Sequence, residues 1–217
     1  MAKAAEKGQE TRAYHSPRRK EQAEATRKEI LDAAERLFVE DGYVATSIAA
    51  VAKEAGVALK TVYLAFETKS GLLRALWHRN LRGGREFVPV GEQKWFIEVL
   101  EEPDPEKALR LNARNSRQVK TRIAPLGGVL LSAAPADPDV EALSERIWSD
   151  FYENQLEVVK ALHRRKALKK GLGTKRAADI LWTLNHPRTY LLLLERGWTP
   201  EQYERWLGDV TIAELLE

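Results

Sequence analysis

From Thr26 onward, apolar side chains recur three and four residues apart, the period of a helix with one buried face. Ile30, Ala34, Leu37 and Phe38, with Leu31 beside them, set a first helix. Thr26-Arg27-Lys28-Glu29 opens it with capping-box spacing, and Asp41-Gly42 ends it. In Ser47–Phe66, SIAAVAKEAGVALKTVYLAF, two short helical patterns meet across Gly56. Ile48, Val51, Ala52 and Ala55 stripe the first; Gly56 follows where a helix end needs a left-handed residue. In the second, Leu59, Val62 and Phe66 fall within a sector about 60° wide and point inward. Lys60 and Leu64 take the opposite side, flanked by Thr61 and Tyr63. Two short helices on a tight turn, the second with a polar-aromatic outer face, make a helix-turn-helix shaped for a DNA major groove. Thr68 caps a fourth helix with Leu72, Leu73, Leu76, Trp77 and Leu81 inward, stopped by Gly83-Gly84.

The remaining pattern is helical throughout, so the expected fold is all-α: a helix-turn-helix head with a larger helical body. A short helix is expected over Glu92–Glu101. Pro103 and Pro105 open the next, from Glu106 to Ala124, ending before Pro125. Pro125–Pro138 holds one more apolar helix around Val129-Leu130-Leu131. A long helix runs from Asp139 to about Leu168 with Val140, Leu143, Ile147, Phe151, Val158 and Leu162 on one side. Thr174 caps Lys175–Asn185, Pro187 begins a helix through Arg196, and Thr199-Pro200 begins the last, with Tyr203, Trp206, Leu207 and Val210 inward. The boundaries expected are a disordered basic tail over 1–24, a DNA-binding domain over 25–70, and a ligand-binding and dimerisation domain over 71–217.

Composition narrows the function classes. The chain has 217 residues, 44% of them hydrophobic, enough for a sizeable core. Cysteine is absent, which removes disulfides and thiolate metal sites and suits a reducing cytoplasm. The start, MAKAAEKGQE, lacks the apolar core of a signal peptide, and no run approaches eighteen apolar residues. Bulk charge says little about nucleic acid, since residues 1–70 carry a net +1 and the rest +2. Local placement says more: Arg12 to Lys28 holds six basic and two acidic residues, and Arg18-Arg19-Lys20 is either a solvated cluster or an arm for phosphates.

No HExxH, GxSxG, Walker loop or GxGxxG is present, so no enzyme is expected, and no metal or cofactor. Gly171-Leu172-Gly173-Thr174-Lys175 follows a helix rather than a strand and reads as a helix stop. His15, His78, His163 and His186 show no metal-ligand spacing. The candidate DNA contacts are Thr46 and Ser47, either of which can cap the second helix, Lys69 at the start of the fourth, and Lys60, Thr61, Tyr63 and Leu64 on the outer face. Leu64 has two readings, packing on the fourth helix or contact with a thymine methyl. In the body, Asn112, Ser116 and Lys120 interrupt the stripe of Leu109, Ala113, Val119 and Ile123, and Asn154 interrupts that of Ile147, Phe151 and Val158. Buried polar groups need partners, and a ligand is one candidate; Trp148 and Asn185 join the set on the same grounds.

Residues 26–81 resemble the DNA-binding domain of the tetracycline-repressor (TetR) family of bacterial regulators. The resemblance rests on Thr46, Ala52, Ala55-Gly56-Val57, Thr61-Val62-Tyr63, Phe66, Lys69 and Leu72-Leu73 at fixed spacings; a looser likeness covers Ala177–Leu216. It departs at Ala58, where family members often carry Ser, and at Leu59 and Lys60, where a small or polar residue is common. The resemblance implies a homodimer with DNA-binding heads and a ligand-responsive body, and it sets Thr46 and Lys69 at positions that usually touch the DNA backbone. The expected function is therefore a cytoplasmic regulator, a repressor released from a palindromic double-stranded operator by a small apolar ligand. The alternatives are a ligand-independent DNA-binding protein and an all-helical enzyme or carrier.

Overall fold

The computed structural model describes residues 17–83 and 89–217. Among them are ten α-helices and no strand: α1 Pro17–Glu40, α2 Ile48–Glu54, α3 Leu59–Phe66, α4 Lys69–Arg82, α5 Lys94–Glu101, α6 Pro105–Ala133, α7 Pro138–Arg164, α8 Thr174–Leu184, α9 Pro187–Glu195 and α10 Pro200–Leu215. The head is α1 to α3 with the start of α4. Ile30, Ala34, Phe38, Val51, Ala52, Val62 and Phe66 meet at its centre, and Gly56 makes the turn at φ +67°. Arg79 of α4 grips α1 through Asp32 (2.6 Å) and Glu35 (2.5 Å).

The apolar core does not stop at the end of the head. Leu72, Leu73, Leu76 and Trp77 of α4 share one buried cluster with Ile123, Leu126, Leu130 and Ala133 of α6 and Val140 of α7. α4 thus lies across the boundary expected at residues 70/71, with its start in the head and its apolar side in the body. A second cluster joins α5, α7, α8 and the end of α10; a third packs Tyr190 and Tyr203 against Ala113 and Leu207.

Several expected boundaries move, each for a physical reason. α1 begins at Pro17, nine residues before Thr26. Pro is well suited to a first helical position, and the Lys20–Glu24 pair at i,i+4 (3.8 Å) supports the added turns. Arg18, Arg19 and Lys20 are therefore exposed residues of a helix, and residues 1–16 of the expected tail lie outside those described. α6 continues through Pro125 as a single helix to Ala133. An interior proline costs about 3 kcal/mol. Burying Leu126, Val129 and Leu130 beyond it, each worth roughly 1.5–3 kcal/mol, outweighs that cost, and the ring of Pro125 faces solvent. Residues 90–92 form a separate 3-10 turn before α5. α7 ends at Arg164, where Lys166 turns left-handed (φ +57°) and Leu168 bridges to Leu216. Gly173, not Thr174, holds the cap position of α8, with no side-chain bond. His186 and Thr199 cap α9 and α10, the latter in a full capping box with Gln202.

Candidate functional site

The outer face of α3 is open. Leu64 is 77% exposed, Lys60 and Tyr63 are also exposed, and Thr61 is half-buried. Packing of Leu64 on α4 is thereby ruled out. Leu59, expected inward, is 44% exposed; it is the first residue of α3. Ala58 stands at the N-cap with no side chain able to accept, so the N–H groups at the start of α3 lack a side-chain cap.

Ser47, not Thr46, caps α2, accepting from the Ala50 N–H at 3.0 Å. Thr46 is buried and donates its hydroxyl to the carbonyls of Gly42 (2.8 Å) and Leu37 (3.1 Å). Its side chain closes the α1–α2 loop, with the hydroxyl engaged by those two carbonyls. Lys69 lies over the Tyr43 ring with Nζ 4.2 Å from the centroid and donates to the Val44 carbonyl at 3.4 Å. Partial burial lowers its pKa, with the charge of Asp137 acting in the opposite sense.

Tyr43 continues the chain of contacts into the body. Its hydroxyl donates to Asp137 Oδ2 at 2.7 Å, and burial together with that bond raises the phenol pKa. Ser70 donates to Asp139 Oδ2 at 3.3 Å. At the other end of α4, Arg122 of α6 donates to the carbonyls of Asn80 (3.1 Å) and Leu81 (3.4 Å). Gly83 ends α4 in the left-handed region at φ +65°, where an added Cβ would come within 3.3 Å of Arg122. Both ends of α4 are thus tied to the body by polar contacts.

Behind α4 lies a cavity of about 420 Å³, within the range of small-molecule sites. Trp77 and Leu81 of α4, Trp95 and Phe96 of α5, Ile123 of α6, and Trp148 and Phe151 of α7 form its apolar wall. Asn112, Ser116, Lys120, Trp148 and Asn154, singled out from the sequence, all line this one cavity. Asn185 lies fully buried just behind, and its four hydrogen bonds join the polar wall. Its Nδ2 donates to Ser116 Oγ and Gln155 Oε1, both at 2.9 Å; its Oδ1 accepts from Lys120 Nζ (2.5 Å) and Tyr203 OH (3.4 Å). Trp148 donates its ring N–H to Ser144 at 2.9 Å and packs edge-on against Trp77 at 6.2 Å.

Lys120 is 3% exposed, and burial lowers its pKa to about 7. The His186 ring sits against Trp148 and Trp182; burial, Arg188 and Lys120 lower its pKa to about 4. It is therefore neutral, as its Nδ1 must be to accept from the Arg188 N–H at 3.1 Å. Gln155 was missed in the sequence, although Val158, Val159 and Leu162 at i+3, i+4 and i+7 put it on a buried face. Tyr43 and Asp137 were also missed; 94 residues separate them, and no local signal pairs them. Among the described residues no helix is long and apolar enough to cross a membrane, and no group of three His, Asp or Glu is placed to hold a metal ion.

Residues 30–76 match the model of bacterial regulatory proteins of the tetR family. The transcriptional regulator AcrR of Shigella flexneri is 26% identical over 193 residues, which span 85% of this chain and 84% of AcrR. Among solved structures, NalD of Pseudomonas aeruginosa superposes with a TM-score of 0.71 at 24% identity, covering 91% of this chain and 98% of NalD. The SmeT–triclosan complex superposes at 0.69 with 19% identity, covering 89% and 92%; SmeT is from Stenotrophomonas maltophilia. At those identities the superpositions speak for the fold, and the match of the head speaks for what the fold carries. A helix-turn-helix with an open outer face, matched over residues 30–76 to the model of bacterial regulatory proteins of the tetR family, gives this chain the head of a DNA-binding transcriptional regulator.

Proposed function

We propose that the protein is a cytoplasmic, homodimeric repressor that leaves a palindromic operator when a small, largely apolar ligand fills the cavity behind α4. One observation carries this reading: α4 starts beside the DNA-reading face at Lys69 and forms part of the cavity wall at Trp77 and Leu81. A ligand pressing on that wall acts on a helix of 14 residues, roughly 21 Å long, whose far end stands next to α3. NalD is described as a repressor of a multidrug efflux pump, and SmeT was solved with triclosan bound. Both support a ligand-released repressor here.

The ligand must favour the released form; a hundredfold preference corresponds to roughly 2.7 kcal/mol per site. Triclosan titrated against an operator fragment obtained by selection from random duplexes should lower the bound fraction. Asn112→Leu, which fills the cavity wall, should leave operator affinity intact and raise the triclosan needed by about tenfold. Release that is indifferent to Asn112→Leu and to the ligand alike would remove the cavity from the mechanism.

On the DNA side, Tyr63, Lys69 and Ser47 are assigned to phosphates, and Lys60, Thr61 and Leu64 to the groove. Lys69→Ala should weaken binding on all sequences and flatten the salt dependence by about one unit of slope, whereas Leu64→Ala should relax preference at one base pair. A salt slope unchanged in Lys69→Ala would move the phosphate contact elsewhere.

The dimer seam is assigned to α8, α9 and α10. Ala177, Ala178 and Leu181 of α8 are buried within the chain while Ile180, Trp182 and Leu184 are half-covered, and Leu192 of α9 is 59% exposed. A helix apolar on both sides needs cover on both. Sedimentation should give about twice 24.6 kDa for the wild type and about 24.6 kDa for Leu192→Glu. A dimeric Leu192→Glu would place the seam on another face.

A further inference from the structure

Beside the aromatic wall of the cavity stand the neutral polar side chains of Asn112, Ser116, Asn154 and Gln155, and among them the buried cation Lys120. The Lys120 ammonium has one hydrogen-bonding partner among the described residues, Asn185 Oδ1 at 2.5 Å. The Phe151 and Tyr203 rings stand at 5.7 and 5.6 Å from Nζ, near the outer limit for cation–π attraction. An ammonium carries three donors, so two remain for a partner not supplied by these residues. No ion pair among the described residues includes Lys120. The two acids on the lining, Asp150 and Glu153, are exposed at its outer edge. Asn185 cannot swing to offer more, because its amide nitrogen is held by both Ser116 and Gln155.

A buried charge without a counter-charge is costly, and folded proteins pair such groups or neutralise them. Lys120 sits at the wall of a space a small molecule can enter, so a ligand can supply the missing charge. It must bring a single oxyanion small enough to sit beside Asn185, on a body that suits Trp77, Trp95, Trp148 and Phe151. At the ~30 Å³ that a water occupies in the liquid, the cavity of about 420 Å³ takes roughly a dozen non-hydrogen atoms. A cation would meet the ammonium with repulsion. A neutral apolar molecule would fill the space and leave the two donors unmet.

We propose that the effector is a small monocarboxylic acid with an apolar body, its carboxylate seated on Lys120 Nζ. This deepens the ligand-released reading above and rests on it for the consequence at the operator. Asn185 acts as a positioning residue, holding the ammonium at the wall, while the aromatic rings select the apolar body. The charge-assisted bond forms where water is excluded, and there it discriminates most strongly between a carboxylate and its uncharged isostere.

Decanoate and decanamide have the same number of non-hydrogen atoms and differ in the charge. Titrated into the full-length protein at pH 7, with Trp77, Trp95 and Trp148 as fluorescent reporters on the lining, decanoate should bind at least about tenfold more tightly than decanamide. In Lys120→Met the preference should vanish, with decanamide bound no less tightly than by the wild type. Equal affinities in the wild type, no decanoate binding at millimolar concentration, or a preference retained in Lys120→Met would each overturn the assignment. The wild-type comparison needs no variant, so a poorly folding Lys120→Met leaves the test intact. If triclosan or decanamide releases the operator and decanoate has no advantage, the repressor reading stands and the carboxylate falls. If decanoate binds preferentially and the operator stays bound, the ligand chemistry stands and the release reading falls.

Discussion

The wild-type protein should become more stable as the pH rises from 7 towards 10, and Lys120→Met should not. Lys120 titrates near 7 in the folded protein against 10.5 when free, because burial penalises its charged form. Between those values the unfolded chain holds a proton that the folded chain lacks, so stability increases with pH. Below about pH 7 the folded protein carries the full cost of the buried ammonium. That cost disappears progressively towards 10.5, a difference on the order of 5 kcal/mol at roughly 1.4 kcal/mol for each pH unit crossed. His186, lowered to about 4, acts in the same sense over the acid range from 4 to 6.5. Tyr43 and Tyr203, both raised by burial, act oppositely to an uncharged background above pH 10: the unfolded phenols ionise first, which lowers stability there and closes the window. Denaturant midpoints for both proteins at pH 7, 8.5 and 10 provide the check. Parallel curves would mean that Lys120 keeps its proton throughout, and with it a counter-charge from outside the described residues.

Asp137→Ala should lower stability by roughly 2–4 kcal/mol and also loosen the control of the head by the body. The carboxylate serves two neighbours: Oδ2 accepts from Tyr43 OH at 2.7 Å, and Oδ1 accepts from the Asp139 N–H at 3.0 Å as the cap of α7. A lost cap costs about 1 kcal/mol, and a lost hydrogen bond to a charged group about 1.5–3 kcal/mol. For a chain of this length each kcal/mol lowers Tm by about 2–4 °C, so the variant should melt several degrees early. Tyr43→Phe removes only the bond across the joint and should cost correspondingly less. Both variants should still bind operator and should need more effector for release, because a head no longer tied to α7 follows the body less closely. A thermal melt of both, with release measured in parallel, separates the roles. Wild-type melting in both would show that the bond contributes nothing at the joint.

Much of this is legible in the chain itself. The head can be read because its signals are local: a 3.6-residue period, a glycine where φ is positive, and polar residues that alternate with Val62 and Phe66 around one short helix. The lining residues Asn112, Ser116, Lys120 and Asn154 are readable for the same reason, since a polar side chain within an apolar stripe shows up in any window of a few residues. Other outcomes belong to the tertiary structure. Thr46 and Ser47 are equal as caps until the α1–α2 loop draws the Thr46 hydroxyl inward. Pro125 would end α6 on local grounds, and does not, because burial of Leu126, Val129 and Leu130 against α4 outweighs one missing hydrogen bond. Leu59 keeps the right phase for burial and yet stays 44% exposed at the first position of α3, where phase alone does not decide burial. The bond from Tyr43 to Asp137 crosses 94 residues, and the distance between two side chains that far apart is set by how whole helices pack. Short-range sterics and periodicity determined which segments are helices and which faces are apolar. Which faces met, and hence that one helix spans DNA face and cavity wall, was decided by long-range burial.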